Sequence, residues 1–271
     1  MLARRLAGVE ESEKGGAQKV CILTGVLFCL VNLIAIAILE ERVPGATSAM
    51  VEYKHTVDQR TAVAARMSGR TGADGFPELS SWETARSLRF QADWQGKNAD
   101  PQRETEVRLL WTRETLYLRF QAKYRVITVF ADAEPSGRRD QLWDRDVAEV
   151  FLQPNEADRK RYKEFEISPN GMWIDLDIAP GEKHDLKSGL RRRVTLNETS
   201  KTWIAELALP MKSLVERFDS AAKWRVNFYR VEGASEPRFY SAWQPTGTPA
   251  PNFHVPEAFG TLIFADSAAA K

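Results

Sequence analysis

Acidic and apolar residues alternate along three short segments in the middle of the chain. Glu149, Glu166 and Asp175 each lie in a period-two pattern, which is typical of strands that bury one face. If the three strands are neighbours, these carboxylates lie on one sheet surface together with Phe151 and Trp173. Such a surface is suited to bind a sugar, because hydroxyl groups donate to carboxylates while the C–H faces of the ring stack on indole. A solvated outer sheet face is the alternative interpretation.

Two of the eight tryptophans stand in polar, loop-like stretches. Trp143 lies within RRDQLWDR, and Trp243 lies within AWQPT. Trp111, Trp203 and Trp224 instead lie in apolar strand patterns and are predicted to be buried in the core. The two tryptophans in polar loops are therefore candidates for stacking against a ligand.

Signatures of catalysis and of metal binding are weak in this sequence. It contains neither a Gly-x-Ser-x-Gly elbow nor a phosphate-binding loop. His55, His184 and His254 are far apart and lack the spacing of metal ligands, so each is predicted to be a surface or structural histidine. A pair of carboxylates could serve a glycosidase, but the sequence does not give their separation.

The segments that would position these residues read as many short strands separated by turns. The strands are predicted at 107–111, 116–120, 127–131, 146–152, 162–168, 172–178, 191–196, 203–209, 224–231, 238–243 and 261–264. Pro169, Asn170 and Gly171 are predicted to form a tight turn, and residues 210–218 a short helix. This pattern predicts an all-β sandwich or barrel.

Charge and cysteine content narrow the classes of function. The formal net charge is +1 with both signs interspersed, which gives no indication of nucleic-acid binding. Cys21 and Cys29 are the only cysteines and lie in an apolar run near the N-terminus. The rest of the chain therefore carries neither a disulfide nor thiolate chemistry.

The apolar run at residues 20–39 contains no charged side chain and is long enough to cross a bilayer as one helix. Basic residues precede it, and Glu40 and Glu41 follow it. The positive-inside rule then places residues 1–19 in the cytoplasm and the rest of the chain outside. A cleavable signal peptide, cut near 46–49, is the alternative to an uncleaved signal anchor.

The sequence thus predicts five consecutive parts. They are a cytoplasmic segment at 1–19, a transmembrane signal anchor at 20–39, a stalk at 40–75 with a modest helix at 51–67, a β-sandwich domain at 76–265 and a tail at 266–271.

Five stretches of the predicted domain carry a family resemblance. They read RLLWTRETLYLRFQAKY, LWDRDVAEVFLQP, YKEFEISPNGMWIDLDI, WRVNFYRVEG and AWQPTGTPAPNFHVPEAFGTLIF. Together, over residues 76–265, they resemble the family 9 carbohydrate-binding modules in their broad bacterial form. The resemblance implies an immunoglobulin-like or jelly-roll antiparallel β-sandwich related to the DOMON domains. Characterised members are appended to xylanases and bind sugars, including chain reducing ends, between two tryptophans.

The resemblance also implies roles for particular residues. Trp143 is similar to the first of these tryptophans, and Glu149, six residues later, is similar to its acidic partner. Trp243 is similar to the second tryptophan. Asn170 falls near a polar ligand position of the family. Some members hold structural calcium, but no acidic loop here is clear enough to assign it, so the sequence assigns no cofactor.

The combined expectation is an exported, membrane-anchored module on the non-cytoplasmic side that binds a carbohydrate such as xylan and is not an enzyme. Its expected partners are a carbohydrate and, through the N-terminal helix, a membrane, but no nucleic acid. The expected carbohydrate-binding residues are Trp143, Trp243, Glu149, Glu166, Asn170 and Asp175. Two alternatives stay open, namely a glycoside hydrolase and a haem-binding DOMON-type domain, which would need axial ligands such as Met172 with a histidine.

Overall fold

The computed structural model describes residues 59–134, 137–155 and 157–266 of the 271-residue chain. The predicted segment at 1–19, the predicted anchor at 20–39 and His55 lie outside the described residues. So do the first part of the predicted stalk and the tail beyond Asp266. Among the residues described, no helix has both the length and the apolar character needed to cross a membrane.

The described residues form an all-β structure with two short α-helices. In chain order, the elements are β1 (Thr61–Arg66), α1 (Leu79–Glu83), β2 (Ser87–Phe90), β3 (Thr105–Trp111), β4 (Thr115–Lys123), β5 (Val147–Gln153), β6 (Tyr162–Ile167), β7 (Trp173–Ala179), β8 (Glu182–Asp185), β9 (Arg191–Asn197), β10 (Thr202–Pro210), α2 (Met211–Leu214), β11 (Trp224–Glu232), β12 (Phe239–Ala242) and β13 (Gly260–Ala265).

The strands form one curled, mixed sheet. Its main path runs β8-β7-β6-β5-β11-β13-β1-β3-β4-β10-β9, while β12 pairs with β11 and β2 pairs with β3. The expectation of an antiparallel sandwich is wrong at one place, because β1 runs parallel to both β13 and β3. The other strand pairs are antiparallel, as short hairpin connections favour.

The two halves of the curled sheet face each other across a central core. This core combines apolar residues of β5, β6 and β11 from one half with those of β3, β4 and β10 from the other. Phe120 of β4 and Phe228 of β11 meet across it, with ring centroids 6.2 Å apart. The predicted core positions of Trp111, Trp203 and Trp224 are confirmed, since all three are buried. The sheet thus encloses its main core as the layers of a sandwich do.

Two further clusters cover the outer faces of the sheet. A second core packs on the other face of β5, β6, β7 and β11 and includes Val147, Phe151 and Tyr229. A third cluster joins α1, with Trp82, to β1, β3, β4 and β10. Side chains along β5 are consequently buried on both faces of the strand. This two-sided burial decides where the acidic side chains of the middle strands can go.

The structure corrects several predicted elements. Residues 127–131 form a loop instead of a strand, and the helix at 210–218 is limited to Met211–Leu214. The described part of the predicted stalk helix at 51–67 contains the strand β1, whose sequence TAVAAR is buried along most of its length. A short alanine-rich run buried on both faces does not show the alternation expected of a half-exposed strand.

Replacing Trp203 by alanine tests the central core. Trp203 is fully buried, so Trp203→Ala should lower the free energy of unfolding by roughly 3–5 kcal/mol, the usual cost of a cavity of this kind. Chemical denaturation followed by circular dichroism measures the change. Leu196→Ala is the control, because Leu196 is 40% exposed and its truncation should change stability by less than about 0.5 kcal/mol. Equal effects of the two substitutions would contradict this description of the core.

Candidate functional site

A cavity of about 270 Å³ opens beside Trp143, on the face of the sheet that carries the second core. Strands β5, β6, β7 and β11 form its floor, while β8, β12 and residues 251–254 contribute to its walls. Its lining residues are Trp143, Glu149, Phe151, Glu164, Glu166, Leu176, Lys183, Val231, Arg238, Tyr240, Pro251, Asn252, Phe253 and His254.

Strand register brings three carboxylates to the floor of this cavity. Glu149 of β5 lies directly opposite Glu166 of β6, and Phe151 lies directly opposite Glu164. Residues directly opposite each other in an antiparallel pair lie on the same face of the sheet. Residues two positions apart along one strand also lie on the same face. The prediction that Glu149 and Glu166 share one surface is therefore confirmed. Glu164 completes the group.

The three carboxylates are almost entirely removed from solvent. Their exposed fractions are 2% for Glu149, 3% for Glu164 and 0% for Glu166. Burial, and then the negative charge of Glu164, raises the pKa of Glu149 well above its usual range. Burial, followed by the charges of Glu149 and Glu164, does the same to the pKa of Glu166. The floor of the cavity is thus a poorly solvated cluster of carboxyl groups, in which burial and mutual repulsion disfavour the ionised forms.

Trp143 forms one wall of the cavity from the 3₁₀ turn Leu142–Asp144, which immediately precedes β5. Leu142 is fully buried in the second core and anchors this turn. The carbonyl oxygen of Trp143 accepts a hydrogen bond of 2.8 Å from Arg238. The ammonium group of Lys183 lies 4.5 Å from the centroid of the Trp143 ring. The indole is therefore held at its backbone and has a cation over one face.

The segment 251–254 forms another wall of the cavity. Phe253 stacks on Tyr229 of β11, with ring centroids 4.2 Å apart. His254 Nδ1 lies 2.6 Å from the hydroxyl oxygen of Tyr162 and 4.0 Å from a carboxylate oxygen of Glu164. His254 was predicted to be a surface or structural histidine, and it lies at the edge of the cavity in a hydrogen bond with β6.

Asp175 is a correction to the predicted site. It lies opposite Phe165 in the β6–β7 register, so it occupies the sheet face of the central core, away from Glu149 and Glu166. Its buried carboxylate accepts a 2.7 Å hydrogen bond from the backbone of Ser188. The prediction fails because the apolar residues of β7 face the second core, which buries the sheet surface that was expected to be open.

Trp243 is a second correction, since the structure does not bring it to Trp143. Its ring packs on Phe228, with centroids 5.5 Å apart, and lines a different cavity with residues 59–63 and 86–89. Tyr240 and Ala242 of β12 belong to the second core. Trp243 follows Ala242 directly and therefore points to the opposite face of the sheet, toward the central core. Tyr240, three residues earlier, is the β12 aromatic residue that lines the cavity beside Trp143.

Asn170 lies in the β6–β7 turn, outside this cavity. Its side-chain amide donates a 2.9 Å hydrogen bond to the carbonyl of Phe130, and its side-chain oxygen accepts from the backbone of Met172. These contacts close the turn and link it to the neighbouring loop. Met172 packs against the second core and does not line the cavity either.

Several lining residues were not selected from the sequence, although signals for some were present. Glu164 lies two residues before Glu166 and therefore on the same face of β6, so alternation alone could have added it. Tyr240 lies three residues before Trp243, the residue that was selected because its surroundings are polar, and the two side chains point to opposite faces of the sheet. Lys183, Phe253 and His254 reach the cavity through tertiary packing, for which the sequence carries no local signal.

The chain matches known proteins over most of its described length. The model of the family described as "Carbohydrate family 9 binding domain-like" matches residues 74–267. An "Extracellular protein" of the fungus Arthroderma benhamiae is 26% identical over 179 residues, which cover 59% of this chain and 78% of that protein.

Solved structures share the fold. A proposed carbohydrate-binding protein from Bacteroides uniformis superposes with a TM-score of 0.61 at 20% identity, covering 75% of this chain and 98% of that one. A family 9 carbohydrate-binding module from Caldicellulosiruptor kristjanssonii, in complex with cellotriose, gives a TM-score of 0.56 at 16% identity, covering 76% and 94%. A module of the same family and organism in complex with glucose gives 0.55 at 16% identity, covering 78% and 98%.

The acidic floor predicts a specific dependence of stability on pH. Because the pKa of Glu166 is raised in the folded state, its folded carboxyl stays protonated to a higher pH than its unfolded counterpart. At a pH below the unfolded pKa, the group is protonated in both states and has little effect. As the pH rises through the folded pKa, ionising the buried group lowers stability. Glu166→Gln removes this loss, so it should raise the melting temperature at about pH 8 and change it little at about pH 4.

Thermal melts of both proteins in EDTA measure this difference, with a shift of roughly 2–4 °C for each kcal/mol. Glu114→Gln is the matched control, since Glu114 is exposed and lies outside the cavity. A lower melting temperature for Glu166→Gln than for wild type at alkaline pH would contradict this prediction. It would show that other groups stabilise the ionised Glu166 carboxylate in the folded protein.

Proposed function

This chain belongs to the carbohydrate family 9 binding domain-like family, and on that premise we propose that it binds a carbohydrate, without catalysis, in the cavity beside Trp143. The observation that carries the proposal is the presence of an indole ring and three buried carboxylates in one cavity. Two solved proteins with this fold were in complex with cellotriose and with glucose, which supports the same class of ligand here.

Each part of the cavity has a role in this proposal. The Trp143 ring provides a flat apolar face for the C–H groups of a sugar ring, and Tyr240 provides a second aromatic surface. Oxygens of Glu149, Glu164 and Glu166 accept hydrogen bonds from hydroxyl groups, and a carboxyl group that is protonated can also donate one. Lys183 must leave the Trp143 ring before a sugar stacks on that face, and it can do so because its strand is exposed.

Cavity size suggests which part of a carbohydrate is bound. About 270 Å³ lies just below the range of about 300–1,000 Å³ that is usual for sites of drug-sized ligands. The cavity therefore suits one sugar ring, such as the terminal ring of a chain, with the rest of the chain outside.

The arrangement of the carboxylates favours binding over hydrolysis. A glycosidase places its two carboxylates on opposite sides of the scissile bond. Here Glu149, Glu164 and Glu166 all project from the same face of two adjacent strands. They would therefore contact a sugar from one side only. Turnover of aryl-glycosides or xylan by the full-length chain would contradict this part of the proposal.

Truncating Trp143 should abolish most of the sugar binding. An indole face contributes roughly 1–3 kcal/mol, so Trp143→Ala should weaken binding by about 5-fold to 150-fold. Glu149→Gln should weaken it less, because the amide oxygen still accepts a hydroxyl hydrogen bond. Calorimetric titration of glucose, cellobiose and xylobiose into full-length protein measures these affinities, with melting curves to confirm folding.

Trp243→Ala is the matched control for this experiment. It removes the same side chain from the other cavity, so sugar affinity should stay within about threefold of wild type. Loss of binding in Trp243→Ala together with normal binding in Trp143→Ala would place the sugar site in that other cavity. Binding that is unaffected by either substitution would show that neither indole ring contributes to sugar binding.

We also propose that the chain is tethered to a membrane by residues 20–39, with the domain on the non-cytoplasmic side. The support is the uncharged apolar run itself, with basic residues before it and Glu40 and Glu41 after it. A tether of this kind would hold the carbohydrate site at a cell surface.

Fractionation of cells tests the tether. Full-length protein should partition with membranes, while a variant that lacks residues 1–45 should be recovered in the soluble fraction. Protease added to intact spheroplasts should digest the domain if it lies on the non-cytoplasmic side. Mature protein found in the medium and starting near residue 50 would show a cleaved signal peptide instead.

A further inference from the structure

The floor of the cavity beside Trp143 gathers three oxygen ligands at one point. Glu149, Glu164 and Glu166 each offer one carboxylate oxygen, and these atoms all lie within 4.8 Å of one another. Two adjacent strands fix the positions, since Glu149 lies opposite Glu166 and Glu164 follows on the same face. The cluster is therefore part of the sheet itself and does not depend on a surface loop.

A second observation is that several oxygens of these carboxylates lack a hydrogen-bond donor from the chain. Glu166 is fully buried, and within the described part of the chain neither of its carboxylate oxygens has a hydrogen-bond partner other than the neighbouring carboxyl group of Glu164. One oxygen of Glu149 and one of Glu164 are likewise without a hydrogen-bond partner there. Buried polar atoms are normally satisfied, and buried carboxylates especially so. Oxygens of this kind in residues that line a cavity are candidates to bind a ligand that the protein chain does not supply.

Nearby cations of the chain are engaged elsewhere. Arg238 forms an ion pair with Glu236 and donates to the Trp143 carbonyl, while Lys183 lies over the Trp143 ring. His254 lies 4.0 Å from Glu164, but its Nδ1 is already within hydrogen-bond distance of Tyr162. None of these side chains forms a hydrogen bond with Glu166, the most deeply buried of the three carboxylates, although Lys183 lies close enough to act on it electrostatically.

We propose that Glu149, Glu164 and Glu166 bind a calcium ion at the floor of the cavity, and that the ion in turn binds hydroxyl groups of the sugar. The first half of the proposal is independent of the carbohydrate, and the second half rests on the proposed function. This ion would be a component of the ligand site, held by strand residues.

The donor atoms favour calcium among the common ions. All three ligands are carboxylate oxygens, which hard cations such as Ca²⁺ and Mg²⁺ prefer over the softer transition metals. The three oxygens all lie within 4.8 Å of one another, so a single ion can contact all of them. Ca²⁺ accepts several carboxylate ligands in flexible geometry, whereas Mg²⁺ keeps several waters and usually binds only one or two carboxylates. When all three carboxyl groups are ionised, their three negative charges match a divalent cation better than a single ammonium group.

The cavity leaves room for the rest of the coordination shell. Calcium takes six to eight oxygen ligands, and three carboxylates supply about three to six of them. The remaining positions would point into the cavity that the Trp143 and Tyr240 rings border. Two adjacent sugar hydroxyls can bind one calcium ion together, with the ring edge toward the metal and a ring face toward the indole. The ion would thus set the orientation of the sugar.

Calcium alone is the first probe. Full-length protein is stripped with EDTA, dialysed and titrated with calcium chloride in a calorimeter without sugar. Wild type should bind one calcium ion per chain and melt at a higher temperature with calcium present, because the ion binds only the folded state. Glu166→Gln should bind calcium at least tenfold more weakly, and magnesium should bind wild type at least tenfold more weakly than calcium.

Glu114→Gln is the control, since it removes one exposed carboxylate outside the cluster and should leave calcium affinity unchanged. Melting curves and far-ultraviolet circular dichroism establish that Glu166→Gln is folded. Absence of calcium binding, or calcium binding that Glu166→Gln leaves intact, overturns the metal site, even if the sugar binds normally.

Sugar titrations with and without calcium then test the second half of the proposal, the contact between the calcium ion and the sugar. Sugar affinity of the stripped protein should rise at least fivefold on addition of calcium, and this increase should disappear in Glu166→Gln. Equal sugar affinity in EDTA and in calcium overturns the contact between ion and sugar. Calcium binding without any sugar binding under either condition supports the metal site and overturns the proposed carbohydrate function.

Discussion

Burial of the sheet on both faces is the constraint on which the rest of this structure depends. Strands β5, β6 and β11 lie between the central core and the second core, so a polar side chain on them cannot reach bulk solvent by pointing outward. Such a group needs a countercharge, a hydrogen-bond partner or a cavity. For Glu149, Glu164 and Glu166, the second core leaves a cavity, which the segment 251–254 also lines.

A second group of buried charges shows that burial alone does not mark a ligand site. Asp146, Arg230 and Glu232 lie close to the same strands and are equally enclosed. Arg230 lies 3.5 Å from Glu232 and 4.0 Å from Asp146, and Arg103 lies 3.1 Å from Glu232. Asp146 also accepts hydrogen bonds from the backbone of Gly233 and Thr128. The charges of this group are balanced by the chain itself, whereas those of the cavity floor are not, and that difference is what makes the floor the better candidate for a ligand site.

The alternation of residues predicted much of the all-β fold and the shared face of Glu149 and Glu166, because period two is a direct consequence of strand geometry. It misplaced Asp175, because it could not reveal that the outer face of β7 is also buried and therefore carries the apolar residues of that strand. Trp243 was misplaced for a related reason, since a loop-like composition does not tell which face of the sheet a residue approaches. The strand β1 was missed because an alanine-rich run buried on both sides has no period at all.

The position of β1 has a mechanical consequence. It is the first described strand of the chain, and it lies between two parallel neighbours, β13 and β3. A pull along the strand axis from its N-terminal end would load the backbone hydrogen bonds to both neighbours in shear, so that many must break together. A strand peeled from the edge of a sheet breaks them one after another. This attachment therefore resists traction applied at the N-terminal end of β1.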